Sequence, residues 1–228
     1  MAEPQVYPYR DPTSLVKWTR WSIYAQMGIT AVAIMSGYLE YEVLAGLRDG
    51  VFESDEAATA AAEASDARQG IVAIIQFLIL VVSGFLILRW IHRVNWNARA
   101  LGAQGMTFTP GWCVGWYFIP VMCLWKPYQA MQEIWKASKN PAAWTTEKVP
   151  QLVGLWWAIW IVYSMAGNAS FRLSMRADEI NEFVNSTVVT IASDVAALPL
   201  CVALLALMTQ VQAMQDARRP GPKVITPA

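Results

Sequence analysis

Two guanidinium groups and the chain's single imidazole fall together in "RWIHRVNWNAR", where Arg89, His92 and Arg93 stand at i, i+3 and i+4. On a helix that spacing turns all three toward one side. Cations there suit the C-terminal end of a helix, whose unpaired carbonyls carry partial negative charge, and they suit lipid phosphates at a membrane surface. The plainer reading is anchoring, with long basic side chains reaching from an apolar region to water. Arg99, Lys126 and Gln129 are candidates to complete a lipid-, ligand- or partner-binding patch, with Trp112, Trp116, Tyr117 and Tyr128 as its aromatic members.

Polar residues inside apolar sequence are the second group. Asp194 interrupts "VVTIASDVAALPLCVALLALM", and Asn168 lies in "SMAGNAS". An ionisable group in lipid is costly unless paired or at the interface, so Asp194 is expected to be clamped by Arg172, Arg176 or a residue of the first helix, to face a pocket, or to sit at the outer interface. Asn168 is a candidate for a hydrogen bond across helices. Glu40 and Glu42, two apart, cannot share one helical face. Other chemistry is poorly served. Cys113, Cys123 and Cys201 stand singly, without CxxC or His–Cys spacing, and one His excludes a haem held by two imidazoles of this chain. There is no GxGxxG, Walker, GxSxG or HExxH pattern. No catalytic residue, metal or other cofactor is assigned, and the chain reads as a binder more than an enzyme.

These groups need a scaffold. The 228 residues are 56% hydrophobic and 15% charged, with 12 Trp, whereas soluble domains carry roughly 25% charged residues. Lipid is therefore the expected solvent. Four stretches reach the roughly 17 to 25 apolar residues that a crossing helix needs: 21–47, 70–91, 152–171 and 188–208. With the N-terminus inside, thirteen of the 17 Lys and Arg fall on the inner side, leaving Arg48, Arg68, Arg172 and Arg176 outside. That is the positive-inside bias, and it predicts that both termini are cytoplasmic.

Residues 111–125, "GWCVGWYFIPVMCLW", do not fit this plan. As a helix they would cover about 22 Å of a hydrocarbon core about 30 Å thick, and Pro120 breaks the hydrogen-bonding pattern. A re-entrant or deeply seated segment is expected, or an interfacial one, with a short tilted crossing as the third option. Pro127 then opens a helix over 127–139. Tyr128, Met131, Ile134, Trp135 and Ser138 share one side of it, against Gln129, Gln132, Glu133, Lys136 and Lys139. This amphipathic pattern predicts a helix on the cytoplasmic leaflet, lysines toward headgroups, with Glu133 supporting Lys136.

The run "RWIHRVNWNARALGAQGMTFTPGWCVGWYFIPVMCLWKPYQAMQEIW" also carries a resemblance. It is similar to a bacterial membrane-protein family known as domain of unknown function 4328. The motifs are Arg89 and Trp90 closing a membrane helix, Asn97 and Ala98 in an Asn-Ala-rich linker, residues 110–112, residues 115–120 and residues 125–129. Where the family often has Asn before its Leu-Trp pair, this chain has Cys123. The likeness extends over roughly 17–215. It implies a bacterial inner-membrane location and transfers no activity.

The reading is thus an all-α integral membrane four-helix protein, 17–215, between flexible tails 1–16 and 216–228, with the short segment and the amphipathic helix added. Trp18, Trp21, Trp90, Trp96, Trp125, Trp135 and Trp144 are expected in the inner aromatic belt, and Trp116 and Tyr117 against the 156–160 turn. The Ala-rich acidic stretch 53–68 is expected to prolong the first helix or to form a separate one. No internal repeat is evident. The expected role is a membrane-embedded binding or scaffold module that contacts lipid or a partner protein, including a second copy, through 89–139. The alternative is a small-molecule transporter or ligand handler built on Asp194 and the aromatic interior. Nucleic acid finds no groove to bind.

Overall fold

The computed structural model describes residues 7–219. Among them there is no strand. The helices are α1 (Thr13–Asp49), α2 (Asp55–Ala100), α3 (Pro110–Gly115), α4 (Lys126–Lys139), α5 (Gln151–Ser174) and α6 (Ile180–Asp216), with 3₁₀ turns at Trp116–Phe118, Met122–Leu124 and Pro141–Thr146. Three of them, α2, α5 and α6, are long and apolar enough to cross a membrane. At most 28% of their apolar windows is buried within the protein. Ile71, Phe77, Leu78 and Val162 point outward, the reverse of a helix in water. This is a membrane protein. α1 has 37 residues but is not among the three, being diluted by Gln26, Thr30, Ser36, Glu40 and Glu42.

The helix ends follow from local chemistry. α2 closes with Gly102 N–H donating to the Arg99 carbonyl and Ala103 N–H to that of Ala98. This double cap requires a left-handed residue, and Gly102 has φ +104°. Gly50, at φ +65°, ends α1 similarly, with Val51 N–H donating to Gly46. The Ser54 hydroxyl caps the start of α2 by accepting from Ala57 N–H. Residues 55–68 are consequently the first turns of α2, neither a prolonged α1 nor a separate helix: Gly50 stops the one and no breaker stands between Asp55 and the span. The supposed Asn-Ala linker is likewise helical, with Asn95, Asn97 and Ala98 fully buried near the end of α2.

The tail boundary at residue 16 also moves. Asp11 accepts from the backbone and hydroxyl of Thr13, where α1 begins, and residues 8–11 are bonded to α2. The remaining tail residues, 1–6 and 220–228, lie outside the described residues.

The chain gathers into two compact units. The first is Phe85–Trp157 with the described parts of Met1–Arg20 and Leu204–Ala228. Its interior holds Trp90, Ile91, Val94, Met131, Ile134, Val153, Leu207 and Val211. α4 belongs to this interior, with Met131, Ile134, Trp135 and Ser138 buried against protein where a leaflet was expected. Gln215 of α6 donates to Ser138 Oγ and to the Val94 carbonyl. Trp90 and Trp135 are core residues, not belt residues.

The second unit is Trp21–Gly84 and Ala158–Ala203. There polar side chains join helices: Ser36 Oγ donates to Gln69 Oε1 at 3.1 Å, Gln69 Nε2 to Glu40 Oε2 at 2.7 Å, and Ser170 and Thr190 meet hydroxyl to hydroxyl. α1 and α6 approach so closely that a Cβ at Gly37 would fall 2.9 Å from Ile191.

Candidate functional site

Arg89, His92 and Arg93 do share a face of α2, as their spacing predicts, and a fourth basic residue joins them. Arg10 is fixed by α2 itself: its backbone N–H donates to Asn97 Oδ1 at 3.1 Å, and its carbonyl accepts from Asn97 Nδ2 at 2.9 Å. Its guanidinium lies 3.6 Å from the centre of the Trp96 ring, and Trp96 Nε1 donates to the Pro8 carbonyl. Arg10, Arg89, His92 and Arg93 line a cleft of about 290 Å³. The His92 ring stacks on Trp96. Burial holds its pKa below the ordinary value, and the charges of Arg10, Arg89 and Arg93 push in the same direction. Arg93 donates to the Asp11 carbonyl at 2.7 Å, while the Asp11 carboxylate turns to Thr13 and Arg219. Sequence reading missed Arg10 because nothing periodic marks residue 10.

The other expected members lie elsewhere. Arg99 donates to the carbonyls of Met106 and Phe108, at 3.0 and 2.9 Å, and to Asn95 Oδ1. Lys126 sits 5.7 Å from the Phe108 ring and 5.8 Å from that of Trp116. Gln129 is exposed on α4. These are not parts of the basic cleft. Arg99 instead belongs to a clamp on the loop between α2 and α3. Its partner is Glu133, which accepts from the N–H groups of Thr107 and Phe108 at 2.5 and 2.9 Å. Glu133 is buried at 6% exposure, so its expected role beside Lys136 is replaced by this one. Asn95 completes the clamp, donating to Phe108 O at 3.0 Å and to Cys113 Sγ at 3.1 Å. Burial, with Glu133 nearby, pushes the Cys113 thiol up to about 12, which keeps it protonated and unreactive.

From this clamp the short segment departs. Thr109 caps α3, its hydroxyl accepting from Trp112 N–H, and Pro110 fills the first turn. Two 3₁₀ turns follow, separated by Val121 at φ +67°. Residues 111–125 therefore form no single helix. Trp112 lies tilted against Trp116, 4.8 Å between ring centres, and is 52% exposed, Phe118 is 70% exposed, and Val121, Leu124 and Trp125 also face outward. Tyr117 is half-buried. The segment is held at its other end by Trp157, whose Nε1 donates to Leu124 O at 3.0 Å. Tyr128 stacks on Trp157, 6.2 Å between centres. Leu124 and Tyr128 thus both meet Trp157.

In the second unit, Asp194 accepts from Gln76 Nε2 at 3.0 Å. Among the described residues its hydrogen-bond partner is thus an amide of α2, where Arg172, Arg176 or a residue of the first helix was expected. Asn168 is exposed and donates to the Ser164 carbonyl one turn back in α5, at 2.7 Å; the expected bond across helices is corrected to one within its own. Glu40 faces inward to Gln69 and Thr187, and Glu42 faces out.

No curated protein and no solved structure matches the chain. A family model described as Domain of unknown function (DUF4328) matches residues 54–213, taking in the basic end of α2, the clamp, the short segment and α4 to α6 up to Ala213. With more than half of its 228 residues inside that match, the chain belongs to the DUF4328 family.

Proposed function

We propose that this chain is a membrane-embedded binding module of the bacterial inner membrane, with four crossings and both termini in the cytoplasm, that touches lipid through residues 111–125. The observation that carries the reading is the outward apolar row of Trp112, Phe118, Val121, Leu124 and Trp125. Irregular backbone in lipid must be held by protein, and here the clamp of Asn95, Arg99 and Glu133 grips one flank while Trp157 grips the other. The row itself is left for the acyl region. α1 supports the fourth crossing. Val16, Thr19, Ile23, Gln26, Thr30 and Ala33 are buried at alternating steps of three and four, whereas Trp18, Trp21, Val32 and Met35 face out. That is a helix with its polar groups turned inward and its apolar side to lipid.

Spin labelling tests it. With Cys113, Cys123 and Cys201 replaced, a label at Phe118→Cys in phosphatidylcholine bilayers is expected to be relaxed by oxygen and shielded from a water-soluble nickel reagent. Full access to nickel would refute lipid contact. Single cysteines near 105 and 145 are expected to react from the same face of the membrane; reaction from opposite faces would make the segment a crossing.

A further inference from the structure

The cleft of Arg10, Arg89, His92 and Arg93 has an apolar neighbour. Arg93 also lines a groove of about 440 Å³ with Asp11, Ser14, Leu15, Trp18 and Leu86. We propose that the first unit binds one anionic phospholipid, its phosphate received by the guanidinium groups of Arg10, Arg89 and Arg93 and its acyl chain laid along Leu15, Trp18 and Leu86. This rests on the reading that the chain contacts lipid, and it moves the headgroup site away from Arg99, Lys126 and Gln129.

Charge complementarity is the main argument. Three guanidinium groups and an imidazole face one cleft, and among the described residues Arg89 has no ion pair, only the Phe85 ring 5.7 Å away. The nearest carboxylate in the groove, Asp11, is already held by Thr13 and Arg219. Crowded like charges repel, and an anion with several acceptor oxygens removes that repulsion. The mutual repulsion registers in the lowered pKa values of His92 and Arg93, to which burial contributes first. Rigidity is the second argument. Arg10 is not a loose tail residue: two backbone bonds to Asn97 and the stack on Trp96 set it in place, so little ordering remains to be done on binding. The shape of the surface selects lipid over a free phosphate. A small anion would fill the basic cleft and leave Leu15, Trp18 and Leu86 uncovered, whereas a phospholipid covers both surfaces, with Arg93 at the junction.

The test is native mass spectrometry of the full chain in non-ionic detergent, titrated separately with phosphatidylglycerol, phosphatidylcholine and glycerol 1-phosphate. Phosphatidylglycerol is expected to be retained in preference to both. Arg89→Gln, on an exposed side chain, is expected to weaken that retention roughly tenfold, the loss of one charge-assisted contact. Ser14→Trp keeps every charge, fills the groove from an exposed position, and is expected to weaken retention of the lipid but not of glycerol 1-phosphate. Wild-type retention by both variants would overturn the proposal, and equal competition by glycerol 1-phosphate would replace the lipid by a small anion. The spin label at residue 118 in phosphatidylcholine separates the two readings. If it stays buried in lipid while the variants retain phosphatidylglycerol, the headgroup site is wrong and the lipid-contacting segment stands. If it is open to water, the broader reading fails by itself.

Discussion

The two units use polar side chains in opposite ways. In the first, buried polar groups mainly serve loop main chain: Arg99, Asn95 and Glu133 bond the backbone of Met106, Thr107 and Phe108, and Trp157 bonds Leu124, while Gln215 joins helices through the Val94 carbonyl and Ser138 Oγ. In the second, the links between helices run side chain to side chain: Gln76 to Asp194, Ser36 to Gln69, Gln69 to Glu40, Ser170 with Thr190. The difference follows from the backbone each unit contains. A continuous helix has already paired its own amides, so polar side chains between helices meet one another or share a carbonyl that is already bonded, as Gln215 does with Val94. An irregular loop has not, and without water its donors need side-chain acceptors.

This contrast can be broken by deletion. Glu133→Ala leaves two backbone donors buried and unpaired, and a loss of about 3 kcal/mol is expected in detergent unfolding followed by circular dichroism. Glu133→Gln, which keeps one acceptor, is expected to recover about half of it. A loss no greater than that of a helix-to-helix bond in the second unit would abolish the distinction. Next in size is Val121→Gly. A β-branched residue at φ +67° is strained, and relief is expected to raise stability by about 1 kcal/mol. In the second unit, Ser36→Ala is expected to cost about 0.6 kcal/mol, the usual worth of a polar contact between membrane helices. Asp194→Asn preserves an acceptor for Gln76 and is expected to cost still less. A large effect there, or loss of an uptake activity without loss of stability, would favour the transport alternative.

The smallest effect is one of pH. Glu147 is held below the usual carboxylate range by hydrogen bonding to Lys139, with Asn140 adding to it. A carboxylate depressed on folding stabilises fully above its unfolded pKa, and that contribution fades as pH falls through the lower folded value. Protection of the backbone amides of residues 142–146, measured relative to their intrinsic exchange, is therefore expected to drop only in acid, and Lys139→Gln is expected to remove that drop.

What the sequence made legible was set by what periodicity can detect. Pro127 at a helix start and the buried side of Met131, Ile134 and Trp135 were readable, because an apolar stripe at helical spacing is an unambiguous signal. Glu133 was not. It shares a second buried stripe with Ala130 and Ala137, and alanines are too small to announce a core face, so residue type alone sent the carboxylate outward. Asn97 was misplaced for another reason: the resemblance implied a linker at Asn97 and Ala98, and nothing local announces that Asn95 and Asn97 are buried in α2, because their partners, Phe108 and Arg10, are distant in sequence. α1 is a different case: its outer face is apolar and its seam holds Thr19, Gln26 and Thr30, and these buried polar residues lower the mean hydropathy of a helix whose length alone would let it cross.

That seam bears on how the protein is made. A helix presenting Thr19, Gln26, Thr30 and Ser36 would meet hydrocarbon on that side if it entered the bilayer alone. Two of the four find partners on α2, where Thr19 donates to the Leu86 carbonyl and Ser36 to Gln69. For the crossing proposed for α1, membrane integration should then proceed as an α1–α2 hairpin, with the first helix retained at the insertion machinery until the second has emerged from the ribosome.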